Sequence, residues 1–240
     1  GRCKHMKTFD FVTTMSMKYY KECGYRYIDT FLRHSPPDRI LHVWTEDGIP
    51  EHPQVKQYKL QDTDFYNNWT LTCKKPKIRT FSIKVGVQYE AAKILTGDVL
   101  VWIDADVYAK QPLTDKFFNV LEPQGTRLAN YMGQENNSGP ETGILSYNRN
   151  HPNFKKFMED FINVYYSGKI FNLTMPVDTF AWWEVKNTMP DEDFHTWSDS
   201  SNSHVFYVSE LRQWIDHAKG QIKFKNPAKV DKRASTEPKK

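Results

Sequence analysis

The chain has 240 residues, of which 39% are hydrophobic, 15% aromatic and 26% charged. This composition excludes a disordered chain, a collagen-like fibre and a coiled coil, and the length allows one domain with a substantial core. The formal net charge is +4, but residues 219–240 carry eight Lys or Arg against two acidic residues, so the rest of the chain carries −2. The folded part is therefore not expected to bind nucleic acid through its charge.

The two ends of the sequence differ in composition from the middle. Residues 1–6 resemble a cloning remnant, and residues 226–240 are polar without apolar periodicity, as in a disordered tail or a linker to further domains. We therefore expect one domain over residues 7–225. Three scattered cysteines make no disulfide scaffold or zinc cluster. The scattered cysteines are typical of a reducing compartment, and the sequence has no secretory signal and no apolar run of roughly 20 residues. Together these features predict a cytoplasmic protein without a membrane span.

The predicted elements of the first half alternate between strands and helices. This alternation predicts an α/β fold, in which a mostly parallel sheet is flanked by helices. The continuous apolar run at 99–103 is typical of a strand buried on both faces. The expected strands are 9–14, 39–44, 55–60 and 99–103, and the expected helices run from a Ser16 cap to about His34 and from Ile78 to Leu95, where Gly97 would serve as the C-cap.

The second half is less regular, and we expect it to belong to the same single domain. Apolar alternation and helical periodicity are both weaker there. The expected strands are 127–132, 143–147 and 204–208, and the expected helices are 152–166 and 177–185.

Three Asp-x-Asp triplets occur, and only one of them directly follows a buried strand. The triplets at 62–64 and 191–193 lie in polar surroundings and are expected to be solvated, whereas Asp104 and Asp106 end the 99–103 strand. Ligands of open α/β sheets bind at the carboxyl ends of strands. Two neighbouring carboxylates repel each other, which costs free energy when both are charged. A Mg²⁺ or Mn²⁺ ion that also carries a diphosphate would remove this repulsion. The alternative is a turn in which both side chains cap backbone amides.

At these residues the sequence resembles a known family. Val99 to Asp106, with the helix before it, is similar to the nucleotide-sugar glycosyltransferases of the GT-A fold, most of all to the group with glycogenin and the bacterial lipopolysaccharide galactosyltransferases. The likeness extends over about residues 9–224. It implies a GT-A (Rossmann-like) fold, a Mn²⁺ (or Mg²⁺) site at Asp104 and Asp106, and transfer of a hexose from a nucleotide sugar. UDP-linked galactose or glucose is the expected donor, and a glycan or glycoprotein the expected acceptor.

The resemblance also implies roles for residues outside the triplet. Thr13, Thr14 and Tyr20 match the segment that holds uracil and ribose, and Lys84 matches the lysine near the donor phosphate and sugar. Late in the chain, a His-x-x-Gly-x-x-Lys element would supply the third metal ligand and the groups that hold the leaving phosphates. Its members are His217, Gly220 and Lys223, with Lys219 adding positive charge.

The reacting sugar needs a nearby carboxylate or carbonyl, for which Asp178 and Glu141 are the candidates. If the reaction inverts the anomeric centre, one of these must be a general base; if it retains, as the resemblance suggests, no base is required. Each residue also has an ordinary structural interpretation. Asp178 could be a helix N-cap, Lys84 an exposed helix lysine and His217 a surface histidine.

Two other functions fit parts of the sequence. A phosphatase of the haloacid dehalogenase type also places Asp-x-Asp after an apolar strand, but there the triplet lies on the first strand, whereas Asp104 is in mid-chain. A non-catalytic carbohydrate-binding domain would use the seven Trp and thirteen Tyr as stacking surfaces, but it leaves the acidic pair unexplained.

Overall fold

A computed structural model describes residues 7–133, 139–198 and 205–218 of the chain. Strands and helices alternate from the start. Ser16 caps the first helix as predicted, its side chain accepting a hydrogen bond from the Tyr19 amide, and a π-helical stretch at Tyr20–Gly24 joins the first two helices. The elements are β1 Phe9–Thr14, α1 Met17–Tyr19, α2 Tyr25–Arg33, β2 Leu41–Thr45, β3 Val55–Lys59, α3 Pro76–Ile94, β4 Val99–Ile103, β5 Val107–Ala109, α4 Asp115–Leu121, β6 Ala129–Met132, β7 Glu141–Asn148, α5 Phe154–Tyr166, α6 Asp178–Lys186, β8 Phe194–Thr196, α7 Val205–Val208 and β9 Ile215–His217.

Seven strands form one mixed, mostly parallel sheet in the order β3-β2-β1-β4-β7-β6-β8. The first four of these strands run parallel, β7 is antiparallel to both of its neighbours, and β8 is parallel to β6. A separate two-stranded ladder pairs β5 with β9. The predicted fold class, an α/β sheet flanked by helices, is therefore confirmed.

Two apolar layers cover the faces of the sheet. Successive side chains of a strand point to opposite faces, so Val12 and Trp102 pack with α3, α5 and α6, while Phe11 and Val101 pack with α2 and α4. All five residues of β4 are buried, as its unbroken apolar sequence predicts for a central strand.

One predicted strand is a helix, and three short strands and one short α-helix among the described residues were not predicted. The segment expected as a strand at 204–208 forms α7 over Val205–Val208; its four apolar residues are too few to distinguish a helix from a strand. The additional elements are β5, β8, β9 and α4.

Two residues play roles that differ from those predicted. Helix α3 ends with Leu95 as its C-cap, and Gly97 instead lets the chain approach Asp10, whose Oδ2 accepts a hydrogen bond of 2.7 Å from the Gly97 amide. In the 191–193 triplet Asp193 is buried and pairs with His151 at 3.5 Å, so the expectation that this triplet is solvated fails at that position. Asp62 and Asp64 are exposed as expected.

Among the residues described, no helix is both long and apolar enough to cross a membrane.

Candidate active site

The site is built where β4 ends and β7 begins. Because these strands are antiparallel, the first residues of β7 lie beside the last residues of β4. The Asp104 amide donates to the Gly143 carbonyl at 2.7 Å, and the Asp104 carbonyl accepts from the Val107 amide at 3.0 Å. The second bond closes a turn over 104–107, which places Asp104 and Asp106 half-buried at the carboxyl edge of the sheet.

Lys84 bridges two carboxylates at this edge. It lies on α3, and its Nζ is 2.9 Å from Asp104 Oδ1, 3.1 Å from Asp104 Oδ2 and 2.9 Å from Asp178 Oδ2. Trp102 Nε1 donates a further hydrogen bond of 2.9 Å to Asp104 Oδ1. Lys84 is therefore not the exposed helix lysine of the ordinary interpretation. It is the counter-ion that holds Asp104 and Asp178 together.

Asp178 is the first residue of α6, and Val177 is the N-cap, so the alternative that Asp178 caps the helix is wrong. Its carboxylate is buried at the positive end of the helix dipole. Thr142 donates a hydrogen bond of 2.7 Å to Asp178 Oδ2 and lies 2.9 Å from the Thr179 hydroxyl. The start of β7 is thus tied to α6 as well as to β4.

Charges of both signs meet in this cluster. Within the described residues, Lys84 pairs with both Asp104 and Asp178, and Asp106 follows Asp104 by two residues. Burial raises the pKa of Asp104 to about 6; Lys84 opposes this shift, and the charges of Asp106 and Asp178 add to it. Burial alone would lower the pKa of Lys84, but its two carboxylate partners outweigh burial and raise it. Neighbouring carboxylates at the end of a strand favour a bound cation.

The β5–β9 ladder brings His217 next to the acidic turn. His217 is paired in register with Val107, and the Ala218 amide donates to the Asp106 carbonyl at 3.0 Å. The imidazole is stacked on Phe206, with ring centroids 4.2 Å apart, and its Nδ1 lies 3.7 Å from Asp216 Oδ1. The two parts of the predicted metal site, the acidic turn and His217, therefore lie on neighbouring backbone segments in space, although they are more than a hundred residues apart in sequence.

The described residues supply two of the ligands that a divalent ion would need. Within the described ranges, no three Asp, Glu, His or Cys side chains are placed together as metal ligands. Two carboxylates two residues apart do fit the way Mg²⁺ is bound in nucleotide enzymes, where one or two carboxylates and the substrate phosphates share the ion. Asp104 and Asp106 would hold such an ion, and the imidazole of His217, which is stacked on Phe206, is the third candidate ligand.

The remaining predicted residues lie at varied places around this edge. Thr13 is fully buried near the carboxyl end of β1, and its hydroxyl has no hydrogen-bond partner among the described residues. Thr14 donates to the Trp44 carbonyl at 2.9 Å, and Tyr20 packs half-buried against the α2 layer. Glu141 accepts a hydrogen bond of 3.0 Å from the Gly143 amide. Lys219, Gly220 and Lys223 lie outside the described residues.

Three residues of the site were not found from the sequence. Trp102 and Thr142 contact the two carboxylates directly. Burial raises the pKa of Tyr19, and the charge of Asp106 raises it further, which places its phenol near the acidic turn. Of the three, only Trp102 could have been predicted from the sequence, because it lies two residues before Asp104 and the side chains of an extended chain two residues apart point to the same side.

Comparisons with known proteins support the fold. No protein-family model matches the sequence, and no curated protein matches it significantly. The similar solved structures include a glycosyltransferase involved in the glycosylation of the major capsid of PBCV-1, the apo form of the glycosyltransferase GlyE of Streptococcus pneumoniae TIGR4, and the apo form of mouse xyloside xylosyltransferase 1.

The identities are low and the coverage differs. For the PBCV-1 protein the TM-score is 0.53 at 12% identity, over 95% of this chain and 98% of that one. For GlyE the TM-score is 0.52 at 14% identity over 80% of this chain, and for the mouse enzyme it is 0.51 at 10% identity, over 79% of this chain and 85% of that one. The chain spans 45% of GlyE and 40% of the bifunctional glycosyltransferase WbbM. The chain therefore has the GT-A-like fold of these glycosyltransferases.

Proposed function

We propose that this chain is a metal-dependent glycosyltransferase that moves a hexose from a nucleotide diphosphate sugar to a hydroxyl group of a glycan or glycoprotein. UDP-galactose or UDP-glucose is the proposed donor. The observation that carries the proposal is the acidic turn at Asp104 and Asp106. It lies at the carboxyl edge of a sheet whose fold is shared with solved glycosyltransferases, and Lys84 and Trp102 hold the first of its two carboxylates there.

Asp104 and Asp106 would hold a divalent ion, which would supply positive charge to stabilise the leaving diphosphate. The chain's own residues set up this arrangement. Lys84 keeps Asp104 in place until the ion binds, and Trp102 fixes the orientation of the same carboxylate. In this proposal Lys219, Gly220 and Lys223 hold the leaving phosphates.

The two candidate carboxylates are placed unequally for catalysis. Asp178 Oδ2 already accepts from Lys84 and from Thr142, and the side chain is only 4% exposed, so it is poorly placed to take a proton from an acceptor. Its buried charge can instead stabilise positive charge that develops on the sugar. Glu141 is half-buried and bonded to a backbone amide. This arrangement favours retention, in which no general base is required.

The test is donor cleavage in the absence of an acceptor. A panel of UDP-sugars is incubated with the chain and Mn²⁺, and the release of UDP is measured. We expect turnover of one hexose donor, its loss with a chelator, and a fall of at least about a hundredfold in the Asp106→Asn variant, which is within the range for removing an electrostatic group. The matched control is Asp62→Asn, in an exposed Asp-x-Asp triplet, which should leave turnover unchanged.

A second readout does not depend on turnover. Mn²⁺ with UDP should raise the melting temperature of the parent chain and not that of Asp106→Asn. UDP release that persists in the presence of the chelator would contradict the metal's role. Release of inorganic phosphate from a simple phosphate ester would instead favour the phosphatase.

A further inference from the structure

A cleft of about 330 Å³ lies between the loop that precedes α3 and the segment that follows α5. We call it the Trp69 cleft. It is lined by Trp69, Thr72, Cys73, Lys74, Lys75 and Phe171. Its volume is at the lower end of that of small-molecule sites, and no residue of the acidic turn belongs to it.

The floor of the Trp69 cleft is a fixed aromatic stack. Trp69 Nε1 donates a hydrogen bond of 2.9 Å to the Tyr165 carbonyl, and the indole stacks on Phe65 with the ring planes 4° apart. Phe171 continues the stack, with its centroid 6.1 Å from that of Trp69 and its plane tilted by 25°. Phe171 is 45% exposed, so part of its ring is accessible to a ligand.

The two segments that form this cleft carry several exposed apolar side chains. Of the eight large hydrophobic residues exposed among those the structure describes, four lie in these segments: Leu71, Tyr166, Phe171 and Met175. Phe171 is the one of these four that lines the cleft itself.

The rim of the cleft is positively charged. Lys74 and Lys75 are exposed, and Lys75 Nζ lies 5.4 Å from the ring centroid of Phe171. Lys77 follows on the first turn of α3. Within the described parts of the chain, none of these three lysines pairs with a carboxylate, and no acidic residue lines the cleft. A ligand of this surface would therefore be anionic as well as ring-shaped.

The topology places the cleft at the same edge of the sheet as the acidic turn. Helix α3 connects the parallel strands β3 and β4, so it runs back from the carboxyl edge, and its first turn lies at that edge. Lys84 follows Lys75 by nine residues, which is about 14 Å along the helix. Phe171 precedes Asp178 by seven residues. Both segments that form the cleft thus lead directly into the site.

We propose that the Trp69 cleft binds an acidic sugar unit of the acceptor glycan. The inference rests on the proposed glycosyl transfer and adds the substrate class. The apolar face of a pyranose ring packs on Phe171 and Trp69, and the lysines of the rim pair with a carboxylate or phosphate carried by that ring. Because Phe171 and Trp69 line a cleft of small-molecule size, and Trp69 is held by its hydrogen bond to Tyr165, the surface fits a sugar ring better than a membrane surface.

The test measures saccharide binding by calorimetry without any donor. A tetrasaccharide of 1,4-linked galacturonic acid is the probe, and maltotetraose is its neutral counterpart. We expect binding of the acidic probe only, weakened by salt, and a loss of about fivefold or more in affinity in Phe171→Ala and in Lys75→Gln. Tyr25→Ala is the matched control, because Tyr25 is 38% exposed on α2, whose buried residues face the opposite layer of the sheet.

Three results would overturn the inference: no binding of either saccharide, equal binding of the neutral one, or binding only to vesicles of anionic lipid. The thermal shift with Mn²⁺ and UDP is measured on the same variants. It should be unchanged in Phe171→Ala, so a failure of the Trp69 cleft is distinguished from a failure of the proposed donor site.

Discussion

Lys84 shows how one side chain can hold an acidic site together before its ligands arrive. Its side chain is 16% exposed and those of its partners Asp104 and Asp178 are 26% and 4% exposed. A largely buried ion pair adds little stability over an apolar replacement of both partners, but the loss of one partner leaves the other charge uncompensated. Loss of Lys84 should therefore destabilise the fold, because the charges of Asp104 and Asp178 would lose this partner.

We expect Lys84→Met to lower the free energy of unfolding by about 2–3 kcal/mol, less than for a fully buried pair because Asp104 is partly exposed. Mn²⁺ should recover part of this loss, since it would neutralise Asp104 in place of the ammonium. Urea unfolding with and without Mn²⁺ measures both effects. Lys156→Met is the control, because Lys156 pairs with Asp160 on the exposed side of α5 and should cost less than about 0.5 kcal/mol. Equal losses in the two variants would contradict this role.

At the scale of elements, the entry to β4 depends on a close approach of two backbones. A Cβ atom added to Gly97 would lie 2.5 Å from Asp10 Oδ2, closer than atoms pack, and that oxygen also accepts the Gly97 amide hydrogen. Asp10 is paired with Leu100 in the β1–β4 register, so the contact fixes the start of β4 against β1. The glycine is needed here for the space it leaves, not for its backbone torsion angles.

We expect Gly97→Ala to lower the free energy of unfolding by about 1–3 kcal/mol, the usual cost of overpacking. In a chain that already carries Asp10→Ala, the same change should cost much less, because the obstructing carboxylate is gone. Chemical denaturation of the two single variants and the double variant gives the coupling free energy. If the two effects simply add, the contact does not explain the glycine.

The sequence predicted those elements whose structure is set locally. β4 was predicted with its observed bounds, because five consecutive apolar residues between Asp98 and Asp104 leave no other interpretation. β5, β8 and β9 have three residues each and exist only through partners distant in the chain, so no local pattern could indicate them. In the site, the acidic turn was predictable from the end of β4, whereas Thr142 joined it only through the antiparallel pairing of β7.

At the scale of the whole molecule, the chain reaches the acidic turn a second time near its C-terminus. The Lys110 amide donates to the Trp214 carbonyl at 2.7 Å and the Ala218 amide donates to the Asp106 carbonyl, so β9 is tied to the chain at both ends of β5. Trp214 and Ile215 are buried in the α2 layer. The segment up to Ala218 therefore belongs to the folded core.

Two truncations separate the proposed phosphate-binding residues from the predicted tail. Removal of residues 219–240 should leave the melting temperature unchanged, because β9 and its backbone hydrogen bonds to both ends of β5 lie within the retained residues. It should weaken UDP binding in the presence of Mn²⁺ by about tenfold or more, since the two lysines proposed to hold the phosphates are lost. Removal of residues 226–240 alone should change neither quantity, because Lys219, Gly220 and Lys223 are kept. Calorimetry measures UDP binding, and thermal unfolding measures the melting temperature. Equal UDP affinities in both truncated chains would show that Lys219 and Lys223 are not part of the donor site. A lower melting temperature in the shorter chain would show that the core extends beyond Ala218.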